Sequence, residues 1–146
     1  MLQKKIILIT CSSRSPRLNP FITDYIPVLL PKEDPTPYYQ HATTRRWSSE
    51  IRKYDAVIFV APQFNWSIPA TLKNAIDFLC HEWNGKPTGI VSYGGHGGTK
   101  AAAHLQDITR GLKMKAIPTT PALTITLKTL KECIKHGRLD NELTQS

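Results

Sequence analysis

Three short segments of this sequence carry residue types that could hold a ligand. The first, Cys11-Ser12-Ser13-Arg14-Ser15-Pro16-Arg17-Leu18-Asn19, places three hydroxyls and two guanidinium groups just ahead of Pro20. Proline suits the first position of a helix and asparagine suits the cap before it, so this loop leads into a helix amino terminus. Free backbone N–H groups there, the helix dipole, hydroxyl donors and planar guanidinium groups together favour a phosphate. A solvated turn closed by a capping asparagine would have the same composition. The third segment, Ser92-Tyr93-Gly94-Gly95-His96-Gly97-Gly98, has four glycines before another helical pattern. They permit positive φ and close approach of backbone to a flat ligand, although a flexible turn is built the same way. The segment fits neither the Rossmann nor the Walker spacing, and His96 within it is read as exposed, the alternative being an acceptor contact. Between these two lies Pro62-Gln63-Phe64-Asn65-Trp66-Ser67, a loop ahead of Pro69.

The elements around the segments explain why they should meet. Lys5 to Thr10 and Ala56 to Ala61 are continuous apolar runs rich in β-branched residues, the pattern of strands buried on both faces of a parallel sheet. Phe21, Ile22, Tyr25 and Ile26 have helical spacing after Pro20, and so do Trp47, Ile51 and Tyr54. A helix from Pro69 gathers Leu72, Ala75, Ile76 and Leu79 on one face, and a later one gathers Ala102, Leu105, Ile108 and Leu112. Pro87 to Ser92 is a further extended element, Ala116 to Leu127 an extended segment broken by Pro118 and Pro121, and Leu130 to Ile134 a short closing helix. Strands alternating with helices imply a parallel sheet with helices on both faces. Ligands bind beyond the carboxyl ends of such strands, where all three segments fall.

Composition narrows the class. The 146 residues suit one domain, 1–146, with a core of its own. The longest apolar stretches are far shorter than the roughly 18 residues a membrane span needs, and the amino terminus lacks a signal-peptide pattern. A soluble, cytoplasmic protein is expected. Cys11, Cys80 and Cys133 include no close pair, so reduced thiols are expected and no metal site is assigned. The net charge of +8 is spread over short pairs such as Lys4-Lys5 and Arg45-Arg46, which argues against a nucleic-acid stripe.

Pro62-Gln63-Phe64-Asn65-Trp66-Ser67-Ile68-Pro69 with Leu72-Lys73-Asn74-Ala75-Ile76-Asp77 resembles the P-E-Y-N-x-S-x-P…LKNAID signature of the NADPH-dependent FMN reductases, the flavodoxin-like quinone and azo reductases. The resemblance extends to Trp83-x-Gly85-Lys86-Pro87 and to the Ser92 to Gly98 loop, and the family's G-S-x-R-x-x-S-x-N falls on Cys11 to Asn19. It implies an α/β, flavodoxin-like three-layer sandwich and an FMN-dependent NAD(P)H oxidoreductase acting on quinones, free flavin or azo compounds. Ser12, Arg14, Arg17 and Asn19 would hold the FMN phosphate. Pro62, Gln63, Phe64 and Asn65 would lie along the isoalloxazine, and Ser92, Tyr93, Gly94, Gly95 and Gly98 would close over its other side. No catalytic side chain is implied, because the flavin carries the chemistry.

Several positions depart from the family pattern: Cys11 stands for a glycine, Arg17 for a serine, Gln63 for an acid and Phe64 for a tyrosine. Trp66, where a small residue is common, either roofs the flavin, extends the acceptor pocket or packs on a neighbouring subunit or helix. The family's second strand has only a proline-rich stretch in its place. That strand lies at the sheet edge in the 2-1-3-4-5 order, so a sheet trimmed to four strands is expected to keep all three loops. The resemblance also implies a homodimer through Ala70 to Cys80 and Trp83. Two other readings are a flavin-binding domain with little turnover and a basic module for a partner or nucleic acid.

Overall fold

A computed structural model describes residues 4–11, 39 and 41–138. Strand β1 (Ile6–Thr10) is followed by helix α1 (Ala42–Arg52), β2 (Ala56–Pro62), α2 (Ala70–Asp77), β3 (Pro87–Gly94), α3 (Thr99–Gly111), the short strands β4 (Lys115–Ala116) and β5 (Ala122–Thr124), and α4 (Leu127–His136). All strand pairs are parallel, in the order β1-β2-β3-β4 with β5 also on β3. Strands β4 and β5 share one position: Lys115 and Ala116 lie beside Pro87 and Thr88, and Ala122 to Thr124 beside Ser92 to Gly94. The described sheet thus has four positions, the last interrupted where Pro118 and Pro121 cannot donate to a ladder.

Alternation along the strands feeds two cores. Val57, Phe59, Ala61 and Ile90 pack against Ile51 of α1, Leu72 and Ile76 of α2 and Ala101, Ala102 and Leu105 of α3. Val60 and Tyr93 face the other way, toward Cys133 and Leu130 of α4. Helices therefore cover both faces, as the apolar runs require. No helix among the described residues is long and apolar enough to cross a membrane.

Tryptophan indoles finish helix α2. Trp47 donates its Nε1–H to the Ala75 carbonyl at 2.8 Å, and Trp83 donates to that of Ile76 at 3.0 Å. Both carbonyls belong to the last turn, where intrahelical donors run out. Trp83 is wholly buried, its ring 6.0 Å from that of Phe59 and 6.4 Å from that of Trp47. This corrects its expected place at a subunit boundary: a side chain at the centre of the core has no surface to offer a partner. The helix also stops at Asp77, short of Cys80.

A buried carboxylate ties the same region to α1. Glu82 accepts from Ser48 at 2.5 Å and from Tyr39 at 2.8 Å, and pairs with Arg52 at 3.3 Å. Burial pushes its carboxyl upward, but these hydrogen bonds and the guanidinium outweigh burial and hold it below the ordinary value. Lys86 caps the carboxyl end of the same helix, donating to the Tyr54 carbonyl at 2.5 Å, and desolvation lowers its ammonium.

Candidate functional site

The middle and third segments meet at the carboxyl edge of β2 and β3. The Gln63 N–H donates to the Tyr93 carbonyl at 2.8 Å, and the Gln63 Oε1 accepts from the backbone N–H of Lys100 at 3.0 Å. Beyond Gln63 the chain reverses in two residues. Phe64 and Ser67 exchange backbone hydrogen bonds of 2.8 and 2.9 Å, with Asn65 at φ 47° and Trp66 at φ 69° between them. Two successive positive φ values define the tight hairpin turn usually built from Asn-Gly. Asparagine tolerates that region well, whereas tryptophan is an uncommon occupant.

The glycines of the third segment differ in what they do. Gly98 has φ 71°, and a Cβ there would lie 2.6 Å from the Tyr93 nitrogen, so only glycine lets α3 start so close under β3. Gly95 meets nothing within 4 Å at its Cβ position. It borders open space above the sheet edge. His96 is exposed, as expected. Ser92 is wholly buried and its hydroxyl has no partner among the described residues, while the Tyr93 ring is buried toward α4. What these two bring to the edge is backbone.

The donor set fits a flavin's polar rim. The backbone N–H groups of Asn65, Gly95 and His96 have no hydrogen-bond partner among the described residues, and all three residues are exposed. Unpaired amides on two touching loops, beside a glycine with room above it, suit the carbonyl and nitrogen acceptors of an isoalloxazine. Pro62 ends β2 buried, and Phe64 is half-buried beside the turn. Ser12, Arg14, Arg17 and Asn19 lie outside the described residues, as does the helix expected from Pro20. No group of three or more metal-ligating side chains occurs among the described residues.

Two contacts at the site went unread in the sequence. Lys100 places its ammonium 5.6 Å from the Trp66 ring centroid, and His104 Nδ1 lies 2.5 Å from the Ser67 hydroxyl. Their spacing of four puts both on one face of α3. That was the available signal, but nothing in it says that this face meets the hairpin.

A parallel sheet with helices on both faces defines a flavodoxin-like α/β protein. FerB, a flavoenzyme NAD(P)H:(acceptor) oxidoreductase from Paracoccus denitrificans, shares the fold with a TM-score of 0.67 and 20% identity, over 86% of this chain and 82% of that one. The model of the NADPH-dependent FMN reductase family matches residues 4–126, and the chain belongs to that family. An NAD(P)H-dependent FMN reductase of Schizosaccharomyces pombe is 40% identical over 146 residues, covering 83% of this chain and 73% of the relative. Another from Saccharomyces cerevisiae is 54% identical over 79 residues, which are 54% of this chain but 41% of the relative. A quinone reductase of Escherichia coli K12 is 40% identical over 73 residues, 46% of this chain and 39% of the relative.

Proposed function

We propose that this chain is an FMN-dependent NAD(P)H oxidoreductase, a single domain that reduces a small acceptor such as a quinone, a free flavin or an azo compound. The observation that carries this reading is the meeting of two loops at the β2–β3 edge with three unpartnered amides, from Asn65, Gly95 and His96. Membership of the NADPH-dependent FMN reductase family supports it.

Bound FMN would supply the redox chemistry between NAD(P)H and the acceptor. The chain's own groups bind and orient. The amides of Asn65, Gly95 and His96 would donate to the ring's polar edge, and Pro62, Gln63 and Phe64 with the Ser92 to Gly95 backbone and Gly98 would hold the ring. Ser12, Arg14, Arg17 and Asn19 would take the phosphate through their hydroxyl, guanidinium and amide donors. Gln63 is held at both ends, by Tyr93 and by Lys100, which fixes the loop before the ligand arrives. No protein acid or base is assigned.

Reconstitution tests this directly. Purified protein titrated with FMN is expected to turn yellow with near one-to-one stoichiometry and then oxidise NADPH with a quinone. Binding without turnover would leave a flavin-holding domain, and failure to bind would end the reading.

The partner assigned is a second copy of the chain. Thr43, Thr44 and Trp47 of α1 with Ala75 and Phe78 at the end of α2 line an apolar groove of about 270 Å³, and Phe78 is 51% exposed at its side. An exposed ring beside an apolar groove suits pairing across a two-fold axis, in which each Phe78 would enter the other copy's groove. Sedimentation should show a dimer at micromolar concentration and Phe78→Asp a monomer. The three free cysteines support a reducing, cytoplasmic setting.

A further inference from the structure

Trp66 combines two features that oppose folding, and the core offsets neither. Its backbone sits in the left-handed region at φ 69°, and its indole is 69% exposed. Strain of this kind persists only where surrounding contacts enforce it. Three such contacts come from one helix: the Lys100 N–H to Gln63 Oε1 at 3.0 Å, the Lys100 ammonium 5.6 Å from the indole centroid, and His104 Nδ1 2.5 Å from the Ser67 hydroxyl. The ring is exposed, with a cation against it.

We propose that Trp66 and Lys100 form the acceptor-recognition site: the indole stacks on the planar ring of the acceptor, and the ammonium pairs with a single acidic substituent, a sulfonate or carboxylate. This rests on the reductase reading, in which the flavin lies along the same hairpin. An ammonium is a point charge on a flexible stem and suits one acidic group. The pyrophosphate of a dinucleotide is better met by guanidinium forks or a helix amino terminus. His104 is a positioning residue that holds Ser67 and so the turn. The site acts on binding alone, with no bond made or broken there.

The test uses FMN-loaded protein and a matched pair of acceptors, a naphthoquinone and its sulfonate. Lys100→Gln is expected to lower kcat/KM for the sulfonate about fivefold relative to the uncharged quinone, the most an exposed ion pair usually contributes. Trp66→Gly should weaken both quinones about fivefold through lost stacking. It should also raise the melting temperature by about 3 °C, because glycine takes the left-handed conformation freely. A structural tryptophan would lose stability instead. Equilibrium titration with the sulfonated quinone should quench indole fluorescence in the parent and far less in Trp66→Gly.

Equal treatment of the two quinones by Lys100→Gln overturns the proposal. So does a KM shift confined to NADPH, or a change of sedimentation in Trp66→Gly, which would make the ring a subunit contact. Loss of FMN affinity in Trp66→Gly also overturns it by moving Trp66 into the cofactor cradle. If the parent protein itself takes up no FMN, the reductase reading falls first and this proposal with it. Normal FMN binding without acceptor discrimination removes this proposal alone.

Discussion

Gly98 and Gly95 sit three residues apart and should respond to the same substitution in opposite ways. At Gly98 an alanine would need φ 71° and would press its Cβ to within 2.6 Å of the Tyr93 backbone. Strain plus overpacking of this kind costs on the order of 2–4 kcal/mol, so Gly98→Ala is expected to lower the thermal midpoint by several degrees. Gly95→Ala meets nothing within 4 Å and should leave the midpoint nearly unchanged. Its methyl would occupy the space assigned to the flavin, so FMN titration should report weaker binding. The sequence showed four glycines in this loop without showing which was structural. That distinction depends on φ and on the nearness of another strand's backbone, neither of which a composition carries. Pro62, Gln63, Phe64 and Asn65 were legible because they fall in one contiguous motif. Lys100 and His104 were not, because their partners are more than 30 residues away and meet them only through the packing of α3.

Helix α1 is fastened to the chain after α2 by Glu82, and that fastening should show in both stability and pH dependence. Ser48→Ala removes a 2.5 Å hydrogen bond to a buried carboxylate and is expected to cost about 1–3 kcal/mol in a denaturant melt. Because the folded protein holds Glu82 below the ordinary 4.5, its ionised form is favoured by folding. The stabilisation is therefore complete above that value and is lost as pH falls through the lower, folded one. Glu82→Gln should flatten this part of the acid limb, which melts at stepped pH below 4.5 would measure. Of this, the sequence announced little: Glu82 falls in none of the motifs or apolar patterns read from it. The strands and helices were far more visible, since apolar runs and helical spacing are local. Their ends were less so. Strand β3 continues through Tyr93 and Gly94 because β5 pairs with them. Helix α4 begins at Leu127 rather than at Leu130, because the Thr126 hydroxyl caps it by accepting from the Thr129 N–H at 3.1 Å.

Across the whole molecule the three thiols sample three environments, and alkylation at neutral pH should rank them. Cys80 is exposed and should react first. Cys11, at the end of β1, is half-buried, and burial pushes its thiol up to about 11, so little thiolate exists to react. Cys133 is buried on the sheet-facing side of α4 and should label only with unfolding. Mass spectrometry of a timed iodoacetamide series would show this order or contradict it. The fold class was legible at this scale because alternating strands and helices leave few topologies, and the interruption between β4 and β5 was marked by its prolines. The described sheet also has an inside and an outside. Strands β2 and β3 are paired on both flanks, whereas β1 is paired on one and the fourth position is broken. Opening fluctuations therefore begin at the margins, and the two roots of the cradle are the last to let go. On slow heating, flavin emission should stay quenched while the margins loosen, then brighten together with the final cooperative loss of the sheet.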